Sequence, residues 1–355
     1  MTDHIAILEN KKTPYRPPVF EAIGEETKLT VFYVGAGKGN RQWSTRHTPE
    51  NYNEKSILCF EVGPLVVPPL FWYQLLRGKF DIVVPTSTSR LLLCSLTTVA
   101  VSYITQSQIV VWTERVETVW SKSNRGPLHT RVLRKFWWAL QSFLRDLLYN
   151  NADDVVAFSG LAAEAAEQQT PHDVPIKTAP QVYPQSKIPE VNCDTYMKSD
   201  GYRILYLGQL IERKGVEILI EAVKRTKDPL ELIIAGSGPE REKLESKAEG
   251  DTRIKFIGYV SESEKASLYT SADLFVLPTK LDPWGLVVNE ALYFGIPVVT
   301  TEAAGAKMIL NDSQIVPPGD PEALQEAIKN DIDSPTDPPQ PPRVEQMARP
   351  ILSVF

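Results

Sequence analysis

"LDPWGLVVNEALYFGIPVV", residues 281–299, sets two carboxylates, Asp282 and Glu290, eight positions apart across a Pro-Trp-Gly step. Gly285 opens a helix that ends near Tyr293 and Phe294, where Gly295 stands ready for a left-handed cap and Pro297 follows. The N–H groups of Trp284, Gly285 and Leu286 then form a helix N-terminus, the end that accepts anions. Gly285 has no side chain, so a phosphate or a sugar can approach the backbone. Asp282 stands just outside this end, where a carboxylate accepts hydrogen bonds from vicinal hydroxyls. Glu290 lies about five residues into the helix, roughly 7–8 Å along its axis. That offset suits two hydroxyl-bearing groups separated by a diphosphate. A solvated helix with a capping Asp reads the same residues without a ligand.

Outward from this stretch the chain alternates buried strands with helices. "DLFVLP" (273–278) precedes it and "IPVVTT" (296–301) closes it, while "YRILYLG" (202–208), "LELIIAG" (230–236) and "RIKFIGY" (253–259) lie upstream. Helical patterns begin near Gly215, Pro239, Ser261 and Gly285. Short apolar strands alternating with helices of about 10–15 residues argue for a parallel, doubly wound sheet. The first half repeats the rhythm with strands at 5–9, 29–34, 57–62, 81–85, 108–113 and 154–158, and helices at 17–23, 68–77, 89–105 and 128–150.

At 355 residues the chain exceeds one ordinary core. The weakly periodic, Pro-bearing stretch 178–201 supplies a boundary. The expectation is an α/β protein of two Rossmann-like domains, 1–185 and 186–330, facing a central cleft. Ligands then belong at the C-terminal ends of the strands. A Pro-rich tail, 331–355, is free to return to the first domain; five of the eleven residues in 333–343 are Pro, which makes that piece extended.

Composition excludes several classes. A net charge of −6 carries no general nucleic-acid signature. Cys59, Cys94 and Cys193 form no CxxC pair, so neither a zinc site nor a disulfide framework is expected, and a reducing compartment fits. "MTDHIAILEN" lacks the regions of a signal peptide, and the longest apolar run, 91–104, is too short to span a bilayer. The expected location is cytoplasmic.

Two further strand–loop–helix units support the opening stretch. "YLGQLIERKGVEILIEAV" (206–223) places Arg213 and Lys214 near a helix start, a sensible diphosphate clamp. "IIAGSGPEREKL" (233–244) lets backbone approach a nucleotide. "VGAGKGN" (34–40) has the spacing of neither GxGxxG nor a P-loop and reads as a loop.

In this order the motifs, spanning residues 202–330, resemble the donor-binding domain of the retaining glycosyltransferases of family 4, which have the GT-B fold. The resemblance implies transfer of a sugar from a nucleotide-sugar, UDP- or GDP-linked, to an acceptor, with retention, no metal and no further cofactor. It implies that Asp282 holds the sugar hydroxyls and that Lys214 neutralises the leaving diphosphate. Trp284, Gly285 and Leu286 would supply backbone contacts, Glu290 the ribose contact, and Gly236 and Gly238 room beside the nucleotide. The segment from Tyr259 would flank the base.

Departures from the family pattern mark open points. The first acid is Asp where Glu is usual, and Gln209 stands where the family carries an arginine, with Arg213 or Arg16 as replacements. "NKKTPYRPPVFEAI" (10–23) replaces a Gly-Gly loop; Lys11, Lys12 and Arg16 either face phosphate or are surface charge. Where the family often has a His, "IVVWTERVE" (109–117) offers Glu114. It reads as a group that orients the acceptor hydroxyl or acts as its base, or as an ion-pair partner of Arg115 or Arg131.

Residues 121–149 hold six Lys/Arg against one Asp. On a helical projection Leu133, Phe136, Trp137, Leu140, Leu144 and Leu147 share one face, while Arg131, Arg134, Lys135 and Arg145 share the other with Trp138. The pattern fits peripheral contact of 128–149 with an anionic membrane or a lipid-phosphate acceptor, and equally a core-packed helix with a solvated face. The functional expectation is therefore a glycosyltransferase acting on a glycan or lipid-linked acceptor, in cell-surface glycan, glycolipid or glycoprotein glycan assembly at the cytoplasmic face of a membrane. A nucleotide-sugar epimerase and a non-catalytic sugar-nucleotide-binding subunit are the alternatives.

Overall fold

The computed structural model describes residues 3–10, 12–34, 47–62, 65–88, 91–116, 128–183 and 201–354. The chain divides into two units, Met1–Ala179 with Arg343–Phe355, and Pro180–Pro342. The division falls before the 185/186 boundary read from sequence, and residues 331–342 stay with the second unit.

In the first unit the chain runs β1 (His4–Glu9), α1 (Pro17–Glu26), β2 (Lys28–Val34) and β3 (Tyr52–Ile57), then a small antiparallel pair, β4 (Phe60–Val62) and β5 (Leu65–Val67). There follow α2 (Phe71–Gly78), β6 (Ile82–Val84), α3 (Leu92–Thr105), β7 (Gln108–Thr113), α4 (Leu128–Tyr149), β8 (Asp154–Ala157), α5 (Gly160–Glu167) and β9 (Ile176–Thr178). Among the described residues the parallel sheet has the order β3-β2-β1-β6-β7-β8-β9, so the winding reverses between β1 and β6. Ile5, facing Leu29 on one side and Ile82 on the other, is fully buried. Central strands read as unbroken apolar runs because helices cover both faces of such a sheet.

The second unit repeats the plan with β10 (Tyr202–Leu207), α6 (Val216–Arg225), β11 (Leu230–Ala235), α7 (Arg241–Ala248), β12 (Ile254–Gly258), α8 (Glu262–Thr270), β13 (Leu274–Leu277), α9 (Leu286–Tyr293), β14 (Val298–Thr301), β15 (Ile315–Val316) and α10 (Pro321–Asp333). Its order is β12-β11-β10-β13-β14-β15, with the reversal between β10 and β13. A last helix, α11 (Val344–Leu352), belongs to the first unit and packs on α1 through buried Met347, Ala348 and Ile351.

Three sequence expectations are corrected. The strand read at 57–62 is divided: Tyr52–Ile57 pairs with β2 from Leu29↔Tyr52 to Val34↔Ile57, and Phe60 begins a separate hairpin. The apolar run "ILCFEV" drew the reading because the true edge strand, YNEKSI, is polar. Residues 331–355 are not one tail, since α10 runs to Asp333 and α11 begins at Val344. The face of α4 is also different. From Lys135 onward the buried residues are Leu144, Arg145, Leu148 and Tyr149, whereas Phe136 is 60% exposed and Phe143 64%. So much of this helix is apolar that projection alone does not choose the inward stripe; packing against α3 does.

Among the described residues no helix is long and apolar enough to cross a membrane, and no cluster of three metal-ligating side chains occurs. Lys11, residues 35–40 of the "VGAGKGN" stretch, Cys193, and the side chains of Arg131, Leu133 and Arg134 lie outside the described part.

Candidate functional site

The second sheet places its loops at the reversal point, where Rossmann-like sheets bind ligands. The loop after β10 carries Gly208 and Gln209 and leads into a short 3-10 turn, Glu212–Lys214. The loop after the adjacent β13 carries Thr279 to Gly285 and leads into α9. Gly215 joins these two loops. Its φ is +66°, and a Cβ there would meet the carbonyl oxygen of Pro278 at 2.1 Å. Only glycine meets both demands.

Arg213 is spent on the same seam. Its guanidinium donates to the Leu281 carbonyl at 2.9 Å, and its own carbonyl accepts from Lys280 N–H at 2.8 Å and from the Thr279 hydroxyl at 2.9 Å. These bonds tie the loop together. Lys214 instead pairs directly with Asp282, both side chains nearly buried. The residues read as diphosphate and sugar contacts are thus brought side by side and neutralise one another. Asp282 also receives the Trp284 N–H at 3.4 Å, and its backbone is held by Ala303 and Gly305 at 2.9 Å each.

Gly285 begins α9 with φ +95°, and a Cβ there would press on Leu277 at 2.8 Å and lie 3.7 Å from an Asp282 carboxylate oxygen. The amides of Leu286 and Val287 open the helix without partners four residues earlier, as at any helix start. Trp284 is buried, its indole N–H donating to Asn289 Oδ1 at 2.7 Å, and Asn289 Nδ2 donates to the Gln181 carbonyl at 2.8 Å. This chain of bonds fixes the helix start.

Glu290 is the fifth residue of α9 and only 7% exposed. Tyr269 donates its hydroxyl to Glu290 Oε2 at 2.9 Å, and Lys265 Nζ lies 3.4 Å from the same oxygen. Burial raises the Glu290 pKa above the usual carboxylate range, and Lys265 pulls it back. Burial alone would lower Lys265, but Glu290 and Glu262 outweigh it and hold the ammonium above its ordinary value.

Sequence reading missed Lys265, Tyr269 and Asn289. The first two are four apart on α8, so one face of a helix carries both, but nothing in the sequence says that this face meets α9. Gly236 and Gly238 answer to a neighbouring loop: a Cβ on Gly236 would lie 1.8 Å from the Gly208 carbonyl oxygen, and one on Gly238 2.2 Å from that of Leu210. Gln209 accepts through its carbonyl from the buried Tyr206 hydroxyl at 2.9 Å; burial and the nearby Asp282 raise that phenol. Tyr259 is 79% exposed beyond β12.

Arg16 and Glu114 lie in the first unit. Arg16 is not surface charge: it is 6% exposed, with Nε 3.7 Å from Glu9 and Nη2 4.0 Å from Glu114. Glu114 therefore has a guanidinium partner that the sequence did not single out for it. Lys12 pairs with Glu54.

The profile of the family described as Glycosyl transferases group 1 matches residues 195–349. Over 145 residues the chain is 35% identical to the phosphatidyl-myo-inositol mannosyltransferase of Mycobacterium leprae, covering 37% of this chain and 38% of that one. The curated relatives it matches are spanned over about 30–44% of their length. Among solved structures, sucrose-phosphate synthase from Thermosynechococcus elongatus superposes with a TM-score of 0.68 at 17% identity, over 99% of this chain and 95% of that one. The Anabaena protein HepE, in complex with UDP and glucose, superposes with a TM-score of 0.66 at 17% identity and the same coverage. These structural likenesses are ones of fold, the two Rossmann-like domains of GT-B proteins.

Proposed function

We propose that the chain transfers a sugar from a UDP- or GDP-sugar to a glycan or lipid-linked acceptor, with retention and without a metal or other cofactor. The observation that carries this reading is the assembly of Lys214, Asp282 and the start of α9 at the reversal point of the second sheet, with Glu290 one helical turn further in. A diphosphate arriving at the α9 start draws Lys214 away from Asp282. The freed carboxylate then accepts hydroxyls of the transferred sugar, and Glu290 accepts those of the ribose. Lys214 and the helix amides stabilise the charge that builds on the departing diphosphate, the usual electrostatic route for such a leaving group. The mannosyltransferase and the UDP-bound neighbour are in keeping with a nucleotide-sugar donor. Lys135 and the exposed Phe136, Trp138 and Phe143 of α4 support peripheral contact with an anionic membrane.

The test is a panel of UDP-, GDP- and ADP-sugars scored by thermal shift, followed by transfer of labelled sugar to glycan and polyprenyl acceptors. One nucleotide-sugar should raise Tm by several degrees, and Asp282→Ala should cut transfer roughly 10²–10³-fold. A donor converted to another sugar without acceptor would mark an epimerase. Stabilisation by a donor with no transfer, unaltered by Asp282→Ala, would mark a binding subunit; no stabilisation by any donor would overturn the reading outright.

A further inference from the structure

We infer that the cavity at the strand ends of the first unit is a subsite for a neutral, hydroxyl-bearing end of the acceptor, with Glu9 as the residue that selects it. The inference rests on the transferase reading and narrows its acceptor. The cavity, about 90 Å³, lies where the first sheet reverses: Glu9 ends β1, Thr86 and Thr88 follow the adjacent β6, and Trp112 and Glu114 come from the end of β7. It is the counterpart, by topology, of the place that carries Asp282 in the second sheet.

Charge decides what the cavity accepts. The cation at its wall, Arg16, already faces two carboxylates, Glu9 at 3.7 Å and Glu114 at 4.0 Å. Its guanidinium carbon also lies 4.8 Å from the ring centre of Trp112 and 4.3 Å from that of Phe158. With Glu9 ionised, a phosphate or carboxylate entering here meets two carboxylates for one guanidinium that is already matched. A neutral ligand meets no such penalty.

The hydrogen-bonding groups are those a sugar hydroxyl satisfies. Thr86 and Thr88 hydroxyls face each other at 2.9 Å, and each keeps capacity for a further partner. Trp112, whose buried indole N–H has no acceptor among the described residues, lines the cavity beside Glu9 and Glu114. A hydroxyl donates to a carboxylate and accepts from a threonine hydroxyl in turn. Burial, countered by Arg16 and reinforced by Glu114, raises the Glu9 carboxyl to about 7, so near neutral pH it offers both a donor and an acceptor form. The volume holds several waters, and hence a diol or hydroxymethyl arm, not a whole pyranose ring.

Labelling the full chain with 5-fluorotryptophan gives a readout local to the cavity, with the Trp112 resonance identified by its loss in Trp112→Phe. Methyl α-D-glucopyranoside or methyl α-D-mannopyranoside should shift this resonance at millimolar concentration, and inorganic phosphate should not. In Glu9→Gln the bar to anions falls, and at about pH 9, where Glu9 with its pKa of about 7 is ionised, phosphate should bind at least tenfold tighter than to wild type, a gain that misfolding cannot produce. Phosphate binding the wild type as well as the glycosides do, no response to glycosides at 100 mM, or an unchanged glycoside-to-phosphate ratio in Glu9→Gln would each overturn the inference. Nucleotide-sugar stabilisation of the same protein is scored separately. A cavity that answers to glycosides in a chain that no nucleotide-sugar stabilises would sink the transferase reading alone.

Discussion

Glu9 ends a strand in which Ile5 to Leu8 are apolar and buried, and that position gives it a measurable proton linkage. Its folded pKa stands at about 7 against an ordinary value of 4.5, raised by burial and by Glu114 and held down by Arg16. Between those two values the folded chain binds more protons than the unfolded one, so this group makes stability fall as pH rises from about 4.5 to about 7. The difference, 7 − 4.5 = 2.5 pH units, sets a ceiling of about 3 kcal/mol. Glu9→Gln removes the linkage, and its stability relative to wild type should grow by about 1–3 kcal/mol between pH 5 and pH 8 in urea denaturation. Parallel pH curves for the two proteins would show that Glu9 is solvated in the folded state. Sequence could not have singled out this residue. Asp282 and Glu290 were picked out because one continuous loop-and-helix stretch carries both, whereas Glu9, Arg16 and Glu114 come from three separate stretches of chain. What joins them is sheet order, which no local pattern contains.

At the scale of elements, the start of α9 depends on a polar relay through the core. Trp284 donates to Asn289, and Asn289, fully buried, donates to the Gln181 carbonyl. Asn289→Leu removes the acceptor of the buried indole N–H, at a cost of about 1–3 kcal/mol. The expected outcome is a lower Tm together with weaker nucleotide-sugar binding, while far-UV circular dichroism stays that of wild type. Donor affinity equal to wild type would mean that the relay supports packing and not the site. Helices and strands with a sustained apolar pattern, such as β10, β13 and α9, were readable from sequence. Three of the strands missed or mis-cut have little burial to record. The edge strand Tyr52–Ile57 is polar from Asn53 to Ser56, Ile176–Thr178 has no fully buried residue, and Ile315–Val316 is only two residues long. α4 fails for the opposite reason, because apolar residues occupy too much of its circumference.

At the scale of the whole molecule, the chain leaves the first unit at Ala179 and returns to it at Arg343. The return is structural, because α11 covers α1 with Met347, Ala348 and Ile351, each 1% exposed. It also reaches the cavity wall: Arg16 Nη1 lies 3.9 Å from Met347 Sδ, and Lys177 donates to the Ser353 carbonyl at 3.2 Å. Burial of Met347 and Ile351 contributes about 3–6 kcal/mol in total at the usual value per side chain. A chain ending at Pro342 forfeits this and uncovers the part of α1 on which α11 packs. The second unit contributes none of the residues that α11 buries against α1 and has its own core from Ile204 to Ile328. Hydrogen exchange should therefore rise in β1, α1 and β2 of the truncated chain and stay at wild-type levels in β10, β11 and β13. The nucleotide-sugar binding proposed for Lys214, Asp282 and Glu290 should survive, while the response of Trp112 to methyl glycosides should weaken as Arg16 loses its Met347 contact. Equal exchange increases in both units would show that the two cores unfold as one, and that α11 stabilises the entire chain instead of the unit it closes.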